Sequence, residues 1–245
     1  MKDLANVVAF ALLSALLSGC GSLPGKPGPG PEVPRPDTVL DPATLYQENC
    51  AGCHGKTGVQ GAAAAIGLPQ YQAWVDEATQ RQIVAKGLAG TSMPGFSRKS
   101  GGLLTDQQID ALLKGMRAIW LKGDVFAGQR PPAYTDATPG DSAAGASVYD
   151  ASCSRCHGSV HEVGPSGSVL NASFLALISA QAIRTEVVLG RPDLHVPDWR
   201  HENPGHALSD KEVRDVVAFL RSHQSPTPGQ PYPRKPSVST DGATP

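Results

Sequence analysis

Aromatic residues, methionines and cysteines are all scarce in this chain. Aromatic side chains make up 5% of its 245 residues, and there are three methionines and five cysteines. The formal net charge is −1, and no basic cluster is interleaved with aromatic residues, which argues against a nucleic-acid partner. No segment of useful length alternates apolar and polar residues as a half-buried β-strand does. We therefore expect an all-α protein that does not bind nucleic acid.

Four of the five cysteines lie in two C-x-x-C-H motifs. These are Cys50-Ala51-Gly52-Cys53-His54 and Cys153-Ser154-Arg155-Cys156-His157. Two thiols at this spacing can form thioethers with the two vinyl groups of one porphyrin, and the adjoining histidine can bind its iron. A zinc site needs four protein ligands, and a redox C-x-x-C needs no histidine directly after it. The motifs therefore predict two covalently bound haem c groups, with His54 and His157 as proximal ligands, and leave no thiol for a disulfide or a nucleophile.

The fifth cysteine, Cys20, follows a short apolar leader. The run from Leu4 to Leu17 is too short to span a bilayer but has the length of a signal-peptide core. It ends in Leu17-Ser18-Gly19-Cys20, which looks like a lipobox, where the cysteine is lipidated and becomes the mature N-terminus. We expect export and a lipid anchor at Cys20 on the periplasmic, extracytoplasmic side of a membrane. An ordinary secretory signal with an incidental cysteine is the alternative.

Between a proline-rich start and a proline-rich end, the chain contains two copies of one unit. A tyrosine lies four residues before each first motif cysteine, at Tyr46 and Tyr149. Each unit also carries a helix-opening capping box, at Thr105 and at Ser209. The apolar stripes after these boxes have helical spacing and consist of Ile109, Leu112, Leu113 and Met116 in the first copy and Val213, Val216, Val217 and Leu220 in the second.

These patterns predict six segments. They are a signal peptide (1–19), a lipidated proline- and glycine-rich tether (20–41), a first domain (42–122), a linker (123–141), a second domain (142–223) and a disordered proline-rich tail (224–245). Domains of this size with few aromatics bury little apolar surface, so we expect each to be built around its own porphyrin.

Each unit resembles a class I cytochrome c domain. The whole chain resembles the tandem dihaem, membrane-anchored cytochromes of bacterial electron-transport chains, with the resemblance covering residues 42–223. It implies a small helical fold around each haem and a methionine as sixth iron ligand, on a loop before the C-terminal helix. Met93, in the sequence Thr91-Ser92-Met93-Pro94-Gly95-Phe96, fits that position, whereas Met116 lies on the helix stripe and fits the core.

The second unit departs from this pattern. Met93 lies 39 residues after His54, and the same count from His157 reaches Val196, which cannot bind iron. The second unit contains no methionine, and His195 stands beside the vacated position. We expect His195 to be the sixth ligand of haem 2, with His201, His206 or a vacant site as alternatives.

The resemblance implies electron transfer between redox protein partners rather than catalysis. The chain would be either a subunit of a larger respiratory or photosynthetic complex, such as a quinol:cytochrome c oxidoreductase, or a tethered shuttle to a terminal oxidase or reductase. The alternative is a dihaem redox enzyme that uses an open or displaceable sixth site at haem 2 on a small substrate. A gas sensor is a weaker alternative, because no output domain follows the second unit.

Overall fold

The computed structural model describes residues 28, 30, 33–200 and 206–228. Cys20, the signal peptide and His201 lie outside these residues. By its internal contacts the chain divides into two compact parts, residues 1–38 and residues 39–245. The described residues of the first part include a 3-10 turn at Pro36–Thr38. Over the described ranges, the structure consists of helices with isolated β-bridges and no strand, which confirms the all-α prediction. None of the described helices is long and apolar enough to cross a membrane.

The described part of residues 39–245 contains two sets of five α-helices. The first set is α1 Pro42–Asn49, α2 Ala51–His54, α3 Pro69–Trp74, α4 Glu77–Lys86 and α5 Asp106–Trp120. The second set is α6 Ser142–Ser152, α7 Ser154–His157, α8 Ala172–Leu177, α9 Ala180–Leu189 and α10 Asp210–Ser222. A 3-10 turn lies between the last two helices of each set, at Arg98–Ser100 and at Pro192–Leu194.

The C-terminal helices α5 and α10 begin at the predicted capping boxes. The Thr105 hydroxyl accepts a hydrogen bond from the Gln108 backbone N–H at 3.1 Å, and the Gln108 side chain accepts one from the Thr105 N–H at 3.0 Å. Ser209 and Glu212 form the same reciprocal pair. The apolar stripes are buried, apart from a half-buried Val217, as expected for helices that turn one face to a core.

In each unit the N-terminal helix crosses the C-terminal helix at a glycine. In the first unit this glycine is Gly115 on α5, where a Cβ atom would collide with Pro42 of α1. In the second unit it is Gly145 on α6, where a Cβ atom would collide with the backbone of Asp215 and the Cβ of Phe219 on α10. The glycine thus lies on the C-terminal helix in the first unit and on the N-terminal helix in the second, and it permits a close crossing in both.

Two helices in each unit were not predicted individually, namely α3 and α4 and their counterparts α8 and α9. Equivalent arginines hold the ends of α3 and α8. Arg117 of α5 donates to the carbonyl of Gln72 at 2.7 Å, and Arg221 of α10 donates to the carbonyl of Ile178 at 2.9 Å. These bonds satisfy carbonyl groups that lack partners at helix C-termini.

The linker between the units packs tightly against both. We call residues 124–136 the interdomain strap. The Trp74 indole donates to the Pro132 carbonyl at 2.6 Å, and the Trp74 ring meets the Tyr134 ring edge-on at 5.0 Å between centroids. From the second unit, Arg184 donates to the Ala133 carbonyl, and Phe126 of the strap stacks edge-on against Trp199. The larger hydrophobic core accordingly includes residues of both units.

Candidate haem c sites

Each C-x-x-C-H motif lies at a helix junction that the neighbouring tyrosine secures. The backbone N–H of Cys50 donates to the carbonyl of Tyr46 at 2.8 Å, so α1 continues almost directly into the motif helix α2. The Tyr46 hydroxyl then donates to the carbonyl of Gly55, just past His54, at 2.7 Å. Tyr149 repeats this bond in the second unit, donating to Gly158 at 3.0 Å. The tyrosine thus ties the start of the motif helix to its end.

Both motif histidines are held through the same ring nitrogen. The Nδ1 atom of His54 lies 2.8 Å from the carbonyl oxygen of Ala64, and the Nδ1 atom of His157 lies 2.9 Å from that of Gly167. A carbonyl oxygen only accepts hydrogen bonds, so Nδ1 carries a proton, and in the neutral ring Nε2 keeps its lone pair free. This is the tautomer that a metal-ligating histidine needs, with its orientation set by a second bond.

Glycines allow the chain to double back over each motif. Gly55 and Gly158, directly after the two histidines, have φ values of +84° and +78°. Gly61 and Gly164 then pass so close to the carbonyls of Cys53 and Cys156 that a Cβ atom would collide with them. These turns bring the carbonyls of Ala64 and Gly167 within hydrogen-bond distance of the Nδ1 atoms of His54 and His157.

The four motif thiols are free and suited to covalent attachment. None of them forms a disulfide in the structure as described, and in each motif the second cysteine is exposed, whereas Cys50 is buried and Cys153 half-buried. Burial, followed by the neighbouring cysteine, raises the pKa of both Cys50 and Cys153 to about 11. The residues at both motifs therefore fit haem c, because they supply two unpaired thiols and one oriented imidazole.

Met93 lies on a hydrogen-bonded loop that follows α4. Gly87 ends that helix with a φ of +75°, and a Cβ atom there would collide with the Met93 backbone. The backbone N–H of Leu88 donates to the Met93 carbonyl at 3.1 Å, and the Met93 N–H donates to the Thr91 hydroxyl at 3.1 Å. The Met93 side chain is half-buried, which leaves its sulfur within a defined loop instead of the helical core.

In the second unit, Val196 occupies the backbone position of Met93. Gly190 ends α9 with a φ of +62° and approaches the following loop as Gly87 does. The N–H of Arg191 donates to the Val196 carbonyl at 2.8 Å, which corresponds to the bond from Leu88 to Met93. The position that carries a thioether in the first unit therefore carries an aliphatic side chain here.

The two candidate histidines near this loop differ in their surroundings. His195 is exposed, has left-handed backbone angles (φ 60°, ψ 24°) and ends the turn Pro192–Leu194. Its imidazole has no hydrogen-bond partner among the described residues. The Nε2 atom of His206, in contrast, lies 2.7 Å from a carboxylate oxygen of Glu212, inside the capping box of α10.

In the part of the chain that the structure describes, no group of three or more His, Cys, Asp or Glu residues is arranged to hold a bare metal ion. The fold and the paired motifs instead define the class of protein. Two helical units, each with a C-x-x-C-H histidine whose Nε2 is free, are typical of class I c-type cytochromes. The family model described as "Cytochrome C oxidase, cbb3-type, subunit III" matches residues 37–114 and 140–220, more than half of the chain, and the chain belongs to this family.

Cytochrome c domains of this kind bind haem c covalently and transfer electrons. A comparison with curated proteins finds no match. A solved structure, the Kuenenia stuttgartiensis reducing HAO-like protein complex Kustc0457/Kustc0458, is similar at 17% sequence identity and a TM-score of 0.42, covering 79% of this chain and 100% of that one.

Sequence reasoning missed the groups that orient the site. The carbonyls of Ala64 and Gly167 are backbone atoms, so no residue type indicates them. The roles of the Tyr46 and Tyr149 hydroxyls are likewise visible only in the structure, although the repeated spacing of four residues before each motif was a signal for both.

Proposed function

We propose that the chain is a dihaem cytochrome c that carries electrons between membrane redox partners, with one haem in residues 42–122 and one in residues 142–223. The observation that supports two haems is the duplicated proximal site. In both His54 and His157, Nδ1 lies against a carbonyl ten residues further along the chain, and Nε2 is left available for iron. A degenerate second motif would not need to keep that hydrogen bond.

The residues of each site have two roles, attachment of the haem and ligation of its iron. When bound, haem c supplies an iron that cycles between Fe(II) and Fe(III) and so carries one electron. Cys50 and Cys53 hold the first haem and Cys153 and Cys156 the second. The carbonyls of Ala64 and Gly167 hold the proximal imidazoles in place and increase their basicity.

We further propose that the two haems have different sixth ligands, Met93 for the first and His195 for the second. His206 is the weaker candidate because binding iron would break its contact with Glu212. His195 has no such contact to lose. Methionine ligation raises the reduction potential relative to bis-histidine ligation, so haem 1 would be the stronger electron acceptor.

We place the protein outside the cytoplasm, anchored by lipid at Cys20. The lipobox-like Leu17-Ser18-Gly19-Cys20 supports this location. The name of the family supports the role of a subunit in a respiratory complex, and a tethered shuttle is the second role. A Cys20→Ser variant should lose the membrane association or remain as uncleaved precursor. Normal processing together with retention after a salt wash would mean that lipid is not the anchor.

The haem number and the ligands can be tested on the purified, haem-loaded chain. Intact mass and the pyridine haemochrome spectrum should indicate two haems, and Cys50→Ser with Cys53→Ser should remove one. A near-infrared sulfur-to-iron band should be present, should report one haem only, and should disappear in Met93→Ala. His195→Ala should convert haem 2 to a form that binds CO in the ferrous state. If haem 2 stays low-spin and closed to CO in that variant, His195 is not the ligand.

A second candidate function is a redox enzyme that acts at an open sixth site on haem 2. The observation in its favour is Val196, which stands where the first unit has Met93 and cannot bind iron. The wild-type ferrous protein distinguishes the two. An electron-transfer protein with two saturated haems should resist CO, whereas an open sixth site should bind it at once. Rapid CO binding by haem 2 of the unaltered protein would favour the enzyme.

A further inference from the structure

A face of α8 in the second unit is apolar and exposed, whereas the same face of α3 in the first unit is covered. The two helices occupy equivalent places, each ending beside an arginine of the C-terminal helix. On α3 the face consists of Tyr71, which is 7% exposed, and the half-buried Trp74. Their counterparts on α8 are Phe174, 49% exposed, and Leu177, 78% exposed.

The interdomain strap provides the cover on α3. The Tyr134 ring meets Trp74 edge-on, and the Tyr134 side chain is also close enough to that of Tyr71 to interact with it electrostatically. The carbonyl of Pro132 accepts the Trp74 indole N–H. The face of α3 is covered by protein side chains of the strap. We therefore expect the equivalent face of α8 to be covered by protein as well, and not by the haem.

The strap has a counterpart in the sequence after the second unit. The strap contains the sequence Gly128-Gln129-Arg130-Pro131-Pro132-Ala133-Tyr134. Its tyrosine lies fourteen residues beyond the end of α5. The tail contains Gly229-Gln230-Pro231-Tyr232-Pro233, with its tyrosine ten residues beyond the end of α10. In both, a Gly-Gln pair precedes a proline and then a tyrosine, directly after the C-terminal helix of a unit.

The described chain already leads the tail towards α8. After α10 ends, the backbone N–H of Ser225 donates to the carbonyl of Ala172, the first residue of α8, at 2.9 Å. The seven residues from Ser225 to Tyr232 can extend about 23 Å. Since α8 is only about 8 Å long, Tyr232 can reach any point on it.

We propose that the segment 229–233 docks on the exposed face of α8 and that Tyr232 covers Phe174 and Leu177, as Tyr134 covers Tyr71 and Trp74. The composition alone predicted a disordered tail, because proline-rich segments lack the apolar surface to fold by themselves. The exposed face on α8 is the partner that such a segment lacks. The pairing of an aromatic ring with apolar side chains also explains why a tyrosine recurs at this place in both copies.

Hydrogen exchange of the haem-loaded protein tests the proposal. Removing residues 229–245, or changing Tyr232→Ser, should accelerate exchange in α8 by about tenfold and leave α3 unchanged. Tyr232→Phe should keep the protection, because it retains the ring. Tyr134→Ser is the matched control, since it should expose α3 and leave α8 unchanged. Exchange in α8 that does not respond to loss of the tail would overturn the proposal and assign the face to another partner.

A photo-crosslinking amino acid at position 232 distinguishes the remaining occupants. It should cross-link to the peptide containing Phe174 and Leu177 within one chain, whereas the same group at position 238 should do so much less. In a mixture of isotopically labelled and unlabelled chains, cross-links between chains would instead mean that a second copy covers α8, and the intramolecular proposal would be wrong.

Discussion

Arg184 should contribute more to stability than its counterpart in the first unit, although both arginines bind the first acidic residue of the C-terminal helix. Arg184 of α9 pairs with Asp210 at 2.8 Å, and Arg81 of α4 pairs with Asp106 at 3.0 Å. The Arg184 side chain is 6% exposed and also donates to the Ala133 carbonyl through Nε and Nη2, at 2.8 and 2.6 Å. Arg81 is 39% exposed, also pairs with the exposed Asp110 at 2.7 Å, and makes no bond to the strap among the described residues.

The size of the effect follows from these contacts. Losing the two hydrogen bonds from Arg184 to the Ala133 carbonyl should cost about 1–2 kcal/mol. The cost is not higher because Ala133 is exposed and water can bind its carbonyl in the variant. The pair with Asp210, whose side chain is 49% exposed, adds up to about 1 kcal/mol after screening by solvent. Arg184→Gln should therefore lower the free energy of unfolding by about 2 kcal/mol, which for a chain of this size lowers the melting temperature by about 4–8 °C. Arg81→Gln should cost about 0.5 kcal/mol, or about 1–2 °C.

Thermal unfolding of the two haem-loaded variants, followed by circular dichroism, provides the comparison. Hydrogen exchange adds a local measurement, because Arg184→Gln should accelerate exchange in the strap and Arg81→Gln should not. If the two variants melt within about 1 °C of each other, the strap does not depend on Arg184 and the reasoning from its contacts is wrong.

Two further predictions concern the helix crossing of the second unit. Gly145→Ala should destabilise this unit by about 2 kcal/mol despite the better helix propensity of alanine, because the added Cβ atom meets the Asp215 backbone; the exposed Ser147→Ala on the same helix is the control for thermal unfolding. Burial raises the pKa of Asp215, but its bonds to Lys211 and to the backbone N–H of Asp141 outweigh burial and leave the pKa lowered. The unfolded chain therefore binds the proton more tightly, so Asp215 stabilises the fold above about pH 4 and this contribution disappears as the pH falls through the lower folded-state pKa. Asp215→Asn should make the loss of stability below about pH 4 less steep than in wild type or in the exposed Asp150→Asn control, and an unchanged acid transition would contradict the assignment.

The features that the sequence predicted well are those encoded within a few residues. The capping boxes at Thr105 and Ser209 and the buried stripes behind them need only local hydrogen bonds and helical spacing. The C-x-x-C-H motifs are local in the same sense. The backbone bonds of the two ligand loops also match the sequence count that placed Val196 opposite Met93, although iron ligation by Met93 and His195 stays a prediction.

What the sequence left undetermined depends on contacts between distant residues. Helices α3 and α8 have six residues each, too few for a periodic pattern, and are held by arginines more than 40 positions away in the chain. The linker has the composition of a loop, yet Trp74, Arg184 and Arg214 bind it from both sides. The orientation of His54 and His157 depends on backbone carbonyls, which every residue possesses. None of these contacts leaves a signature in residue type or spacing.

Comparison of the two units separates what holds the haem from what makes the units different. The tyrosine-to-glycine bond, the carbonyl on Nδ1 and the glycine of positive φ after the histidine recur in both units, and together they fix the orientation of the motif histidine. The units differ at the loop position of Val196, at the glycine of the helix crossing and at Arg184. Arg81 faces solvent where Arg184 holds the strap. Since the second unit also has Val196 in place of the methionine, it combines an added contact with the strap with the loss of the candidate sulfur ligand. Val196→Met with His195→Gly leaves Arg184 and Trp199 unchanged, so under the proposed ligation it should alter the potential difference between the two haems while keeping the contacts that join the units.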